Sequence, residues 1–197
     1  GSGHPAAIRL YRIIRDGETL AARHVNSKSF FRADRVEFKW NPKKETASSL
    51  LVVTHADVDQ SGQSYYGETA LYLLAAPKAA DPPGINDRAD RIDLKTLRDG
   101  PIHDVEWSPR GNEFVAVYGF MPARATIFGG KSGAPVHHFC DGDGAAFGSR
   151  NMVRFGGPNG ELIAFGGFGN LPGRVDVWSR ERLAKVGSFQ AAGSSVM

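Results

Sequence analysis

The chain has 197 residues, of which 41% are hydrophobic and 23% charged, a balance typical of a folded domain with a substantial core. Its net charge of +3 is too small to indicate nucleic-acid binding by itself, and no apolar run approaches the roughly 18–20 residues that span a membrane. Cys140 is the only cysteine, which excludes an intramolecular disulfide and favours a reducing compartment such as the cytoplasm.

The charge is distributed unevenly along the chain. Residues 1–45 carry ten Lys or Arg and five Asp or Glu, a balance of +5, whereas the remainder carries 14 and 16, a balance of −2. This basic first quarter permits contact with RNA or another acidic surface, and the alternative is a solvated strand face. Residues 1–4, GSGH, are interpreted as a cloning remnant and are left out of the fold prediction.

Short apolar and alternating runs predict β-strands in groups of four, in an order that repeats along the chain. Residues 5–29 are predicted to form the last two strands of a preceding group. Complete groups follow at residues 30–100, 101–147 and 148–190, and residues 191–197 are predicted to be a tail or the start of another group.

The first run of each group ends in an aromatic residue that is followed by a turn, as in VEFKWNP, DVEWSPRG and VRFGGPNG. Four strands with such a turn are typical of one blade of a propeller. The predicted fold is therefore all-β, a partial WD-repeat-like β-propeller with about three four-stranded blades plus partial blades at each end. Trp40, Trp107 and Trp178 are predicted to lie in the core.

The loops between the second and third strands contain the least ordinary residues of the chain. Equivalent loops of a propeller emerge on one face, and aromatic rings beside arginine suit protein interfaces or stacking on unpaired bases. The alternative for Phe120 and Phe168 is that they fold back onto the blade. The predicted partner-binding surface consists of Tyr65, Tyr66, Phe120, Met121, Arg124, Phe168, Asn170, Leu171 and Arg174.

The loop DVDQSGQSYYGE matches the oxygen spacing of a calcium loop, but strand-like runs flank it where that motif needs helices. Local turn bonding is therefore the favoured interpretation, and calcium binding is the less favoured one. The chain contains no G-x-S-x-G or Walker motif, so we predict neither an enzyme nor a cofactor. The disfavoured calcium ligands would be Asp57, Asp59, Ser61 and Glu68.

Several strings resemble the propeller region of the eukaryotic translation initiation factor 2A family: FFRADRVEFKWNP, DVDQSGQSYYGE, GPIHDVEWSPRGNEFVAVYGFMPARATIF and GFGNLPGRVDVW. The resemblance covers about residues 30–178 and departs at residues 81–91 and 131–150. It implies the middle portion of a larger closed propeller, in a factor that associates with the small ribosomal subunit. It also implies help in bringing initiator tRNA to mRNA without GTP, beside other initiation factors.

Two alternatives to this function remain open from the residues. One is a propeller that acts purely through proteins, such as a subunit of initiation factor 3, and the other is a calcium-binding or enzymatic propeller. A partial propeller also has exposed strand edges, which would permit self-association of the chain.

Overall fold

The computed structural model describes residues 6–30, 35–42, 50–55, 69–74, 90–91, 102–119, 123–139, 149–168 and 173–190. These residues form strands and turns, and none of them belongs to a helix that could cross a membrane. The first two strands, β1 (Ala6–Asp16) and β2 (Thr19–Phe30), form an antiparallel hairpin that is a sheet of its own.

Three four-stranded antiparallel sheets follow, each made of four consecutive strands in spatial order. We call them blades 1, 2 and 3. Blade 1 contains β3 (Arg35–Trp40), β4 (Leu50–His55), β5 (Thr69–Leu74) and β6 (Asp90–Arg91). Blade 2 contains β7 (Ile102–Trp107), β8 (Glu113–Tyr118), β9 (Arg124–Gly129) and β10 (Pro135–Phe139). Blade 3 contains β11 (Ser149–Gly156), β12 (Leu162–Phe168), β13 (Arg174–Ser179) and β14 (Ala184–Gln190).

Blade 2 is packed on both faces, which explains why its second strand is a continuous apolar run. Phe114, Ala116 and Tyr118 lie in a core cluster with residues of blade 1, whereas Val115 and Val117 lie in a cluster with residues of blade 3. Because successive side chains of a strand point to opposite faces, β8 needs apolar residues at every position from Phe114 to Tyr118. The two core clusters therefore lie between neighbouring blades.

The turns that follow the first strands contact one another from blade to blade. Asn41, after β3, donates its side-chain amide to the carbonyl of Gly111, after β7, at 2.8 Å. Gly160, after β11, lies against Pro109, where an added Cβ would be 2.8 Å from the proline Cδ. These contacts align the three blades along one edge, which we call the turn edge.

The three tryptophans differ in their surroundings. Trp107 is 4% exposed and donates its Nε1–H to the carbonyl of Lys39 at 3.0 Å. Trp178 is half-buried against the core between blades 2 and 3, with its ring centroid 5.3 Å from that of Phe139.

The predicted core position is wrong for Trp40, because 49% of the residue is exposed. Lys39 reaches β7, so Phe38 and Trp40 point away from blade 2 by strand alternation. Outside its own sheet, β3 lies next to β7 and to β1, and the hairpin leaves both rings about half exposed. The end of a first strand therefore becomes core only where a full sheet covers that side.

Candidate interaction surface

The edge opposite the turn edge is where each second strand ends and each third strand begins. His55 pairs with Thr69 in blade 1, and Tyr118 pairs with Arg124 in blade 2. In blade 3, β12 ends at Phe168 and β13 begins at Arg174. We call this the loop edge, and the alignment of the turns puts these three pairs of strand ends on the same side of the three blades.

Of the nine residues predicted for the partner-binding surface, the structure describes the side chains of Arg124 and Arg174. Both arginines begin a third strand on the loop edge. For Phe168 it describes the backbone, as the last residue of β12. The others lie outside the described residues: Tyr65, Tyr66, Phe120, Met121, Asn170 and Leu171. The calcium candidates Asp57, Asp59, Ser61 and Glu68 lie outside them as well.

Arg174 is held in place by a buried carboxylate. Its Nε donates to Asp176 Oδ1 at 2.8 Å and to Ser188 Oγ at 2.7 Å, and the Ser188 hydroxyl donates to the same Asp176 oxygen at 2.7 Å. The Asp176 side chain is 2% exposed, and Lys185 Nζ lies 3.8 Å from it. This group joins two cations to one carboxylate, so it has a net positive charge and a guanidinium of defined orientation.

Arg124 occupies the matching position in blade 2 but is exposed, and its strand carries Thr126 where β13 carries Asp176. Thr126 is fully buried and joins a chain of hydrogen bonds. Its hydroxyl lies 2.8 Å from the Tyr118 hydroxyl and 2.8 Å from His138 Nδ1. These hydrogen bonds link β8, β9 and β10 inside one blade, so Thr126 has a structural role.

The adjacent histidines of β10 point to opposite faces. His138 bonds Thr126, whereas the His137 ring packs edge-on against Phe139 with centroids 4.8 Å apart. His103 lies 2.6 Å from the carbonyl of Gly119 through its Nε2. Across the described ranges, no three His, Cys, Asp or Glu side chains are close enough to hold a metal ion.

A charged network joins the first strands of all three blades, and sequence reasoning did not identify it. Lys39 of β3 donates to Asp104 at 3.1 Å and to Glu106 at 2.6 Å, both on β7. On the other side, Asp104 accepts from Arg154 at 2.5 Å and from the backbone N–H of Val153 at 3.1 Å, both on β11. Asp104 therefore ties the first strands of the three blades together.

A second ion pair joins blades 2 and 3 at the turn edge. Arg180, in the turn before β14, donates from Nε to Glu113 Oε2 at 2.7 Å and from Nη2 to the other carboxylate oxygen. Such a bidentate pair fixes direction as well as distance. The turn edge is thus firmly bonded between blades, which leaves the loop edge as the candidate surface for a partner.

Comparison with known proteins gives a consistent family match. The family model described as eukaryotic translation initiation factor eIF2A matches residues 28–197. The eukaryotic translation initiation factor 2A of Drosophila melanogaster is 38% identical over 98% of this chain and 26% of its own length. That of Schizosaccharomyces pombe is 38% identical over 96% of this chain and 29% of its own length. The chain thus spans little more than a quarter of these relatives.

Solved structures show the same architecture. A eukaryotic initiation factor is similar with a TM-score of 0.58 and 28% identity, covering 96% of this chain and 41% of that one. Chaetomium thermophilum Sqt1, bound to the N-terminus of ribosomal protein L10, gives a TM-score of 0.65 at 17% identity, covering 96% and 47%. The Dos1 propeller has a TM-score of 0.51 at 13% identity, covering 89% of this chain and 40% of that one. The predicted all-β, WD-repeat-like propeller fold is confirmed, with these distant likenesses supporting the fold alone.

Proposed function

Because the chain belongs to the eukaryotic translation initiation factor 2A family, we propose that it is a propeller scaffold that binds the small ribosomal subunit and helps to deliver initiator tRNA without GTP. In this proposal mRNA and other initiation factors are further partners in the cytoplasm. The chain itself binds and positions, and it catalyses no reaction.

The observation that supports this function best is the pair of arginines at matching positions on the loop edge. Arg124 is exposed, and Arg174 has its guanidinium oriented by Asp176 and Ser188. A guanidinium suits both the phosphates of RNA and the carboxylates of proteins, because its donors form a planar fork. The carboxylate that accompanies them, Asp176, is buried and bonded, so it adds little repulsion for an anionic partner.

The proposed surface also includes residues of the three segments that connect a second strand to a third strand. Rings beside arginines stack on unpaired bases, and the arginines contact phosphates, so one face would serve a structured RNA. The loop residues assigned to this surface are Tyr65, Tyr66, Phe120, Met121, Phe168, Asn170 and Leu171.

Filter binding of initiator tRNA to the chain, together with co-sedimentation with small ribosomal subunits, tests the proposal. We expect the logarithm of the binding constant to fall linearly with the logarithm of the salt concentration, because phosphate contacts release counterions. Elongator tRNA is the matched competitor. Binding to neither the subunit nor tRNA would contradict the proposal, and binding to the subunit without salt-sensitive tRNA affinity would support the protein-only scaffold instead.

A further inference from the structure

The turn between β11 and β12 contains the only Asn-Gly pair of the sequence, Asn159-Gly160. Asn159 is exposed at the third position of a turn that Gly160 closes, with the Gly160 N–H donating to the carbonyl of Gly157 at 3.2 Å. Because glycine has no Cβ to shield its nitrogen, the Gly160 amide is the least hindered nucleophile that an asparagine side chain can have beside it.

This pair can react without any enzyme. The Gly160 nitrogen loses its proton and attacks Cγ of Asn159, the Cγ–Nδ2 bond breaks, and the amide nitrogen leaves as ammonia. The product is a cyclic succinimide. Water then adds to one of its two carbonyl carbons and breaks the bond from that carbon to the ring nitrogen, which leaves aspartate or isoaspartate at position 159. Water is the only co-reactant, and no electrons are transferred.

Glu161 holds Asn159, the residue that would react, through two hydrogen bonds. Its Oε1 accepts a hydrogen bond from Asn159 Nδ2 at 2.8 Å, and its Oε2 accepts the Asn159 backbone N–H at 3.2 Å. These bonds restrain the side chain, and the reaction must break one of them, because Nδ2 gives up its bond to Glu161 when it leaves as ammonia. The negative charge of Glu161 also opposes the loss of the nearby amide proton.

We propose that Asn159 is a spontaneous deamidation site of this protein and that the Glu161 carboxylate sets the rate of its conversion. The Asn159 side-chain hydrogen bond, followed by the backbone bonds and the charge of Arg110, holds the pKa of Glu161 below its usual value. The carboxylate is therefore ionised at neutral pH, where the restraint operates.

Conversion alters a contact between blades. The new carboxylate at position 159 faces Glu161, whose bond to the former Nδ2 is lost, and isoaspartate adds one methylene to the backbone of the turn. Gly160, the next residue, lies against Pro109 of blade 2, where even an added Cβ would come within 2.8 Å of the proline ring. A longer backbone at this point must therefore move the turn away from blade 2.

The test is incubation of the folded chain at mildly alkaline pH, with peptide mass spectrometry to follow the gain of about 1 Da that replaces an amide by a carboxylate. Asn112 is the internal control, since it is also exposed but is followed by Glu113. Glu161→Ala removes the restraint, whereas Glu161→Gln keeps an acceptor oxygen without the charge.

We expect Asn159 to convert faster than Asn112 in the native chain. We expect Glu161→Ala to convert roughly two- to fivefold faster than the parent, the factor that corresponds to one exposed hydrogen bond, with Glu161→Gln between them. Circular dichroism shows whether each variant is folded. Equal rates at Asn159 and Asn112, or an unchanged rate in a folded Glu161→Ala variant, would overturn the proposal.

Discussion

Asp104 of blade 2 accepts a hydrogen bond from the backbone N–H of Val153 in blade 3, at 3.1 Å. The same carboxylate bonds Lys39 of blade 1 on its other oxygen. The first strand of a blade has a neighbouring strand on one side only. The N–H groups on its other side therefore need another acceptor. Here a side chain of the adjacent blade supplies it, which couples the satisfaction of the backbone to the packing of the blades.

Replacing Asp104 is expected to destabilise the chain through this coupling. In Asp104→Ala the Val153 N–H loses its acceptor, Arg154 loses a partner and Lys39 keeps only Glu106, and we expect the free energy of unfolding to fall by about 2 kcal/mol. Urea denaturation measures the change. Glu181→Ala, an exposed carboxylate in the turn before β14, is the matched control and should stay close to the parent. Equal effects of the two substitutions would contradict the role of Asp104.

The strands and their grouping were predictable from sequence because they depend on local patterns. An alternating or apolar run that ends in an aromatic and a turn specifies a strand with little help from distant residues. The Asp104 network depends instead on residues 65 and 50 positions away in the chain, which only the alignment of the blades brings together. The residues just before the first-strand aromatics do alternate in sign, Lys39, Glu106 and Arg154, and this pattern could have indicated the network.

The candidate surface was less predictable than the fold. Matching positions in a repeat placed Arg124 and Arg174 on one edge, but nothing local in RVDVWS indicates that Asp176 is buried and holds Arg174. The error at Trp40 has a related cause, since the position of an aromatic within a blade does not say whether a full sheet covers it.

Trp107 and Trp40 provide a comparison of the same residue type at the same position in two blades. Trp107→Ala removes a ring that is 4% exposed and is expected to cost about 3–5 kcal/mol, because a cavity remains between blades 1 and 2. Trp40→Ala removes a ring that is half exposed and should cost less than about 1 kcal/mol. Thermal and urea unfolding measure both. Similar losses for the two variants would mean that the Trp40 side chain is packed in solution.

Glu161 should titrate below the usual pH for a glutamate. Its pKa is lowered from 4.5 chiefly by the Asn159 side-chain hydrogen bond, so its contribution to stability is present above the unfolded pKa and is lost as the pH falls through the folded pKa. We expect the Asn159 side-chain amide NMR signal to shift with a midpoint below pH 4.5. Glu161→Gln should abolish the shift, and a midpoint at or above pH 4.5 would contradict the hydrogen bond.

Arg174 should contribute to partner binding through its charge and orientation. Arg174→Gln removes the charge and is expected to weaken initiator tRNA binding roughly tenfold, with the slope of binding against salt falling by about one. Asp176→Asn leaves the arginine in place but removes the charge that orients it, so we expect a smaller loss with the slope retained. Arg182→Gln, an exposed arginine on the turn edge, is the control. A loss of the same size in that control would mean that general charge, not the loop edge, governs binding.

Tyr65 and Tyr66 test the loop edge independently of charge. They lie outside the described residues, in the segment between β4, which ends on the loop edge, and β5, which begins there. If the rings stack on bases or fill a pocket of a partner, Tyr65→Ala with Tyr66→Ala should weaken binding by roughly tenfold or more, since each stacked base contributes about 1–3 kcal/mol. Because contact with a partner does not require the rings in the core, the melting temperature should remain nearly that of the parent. Phenylalanine at both positions retains the ring faces and should restore binding by stacking. A large drop in melting temperature with alanine would instead assign the two rings to the core of blade 1.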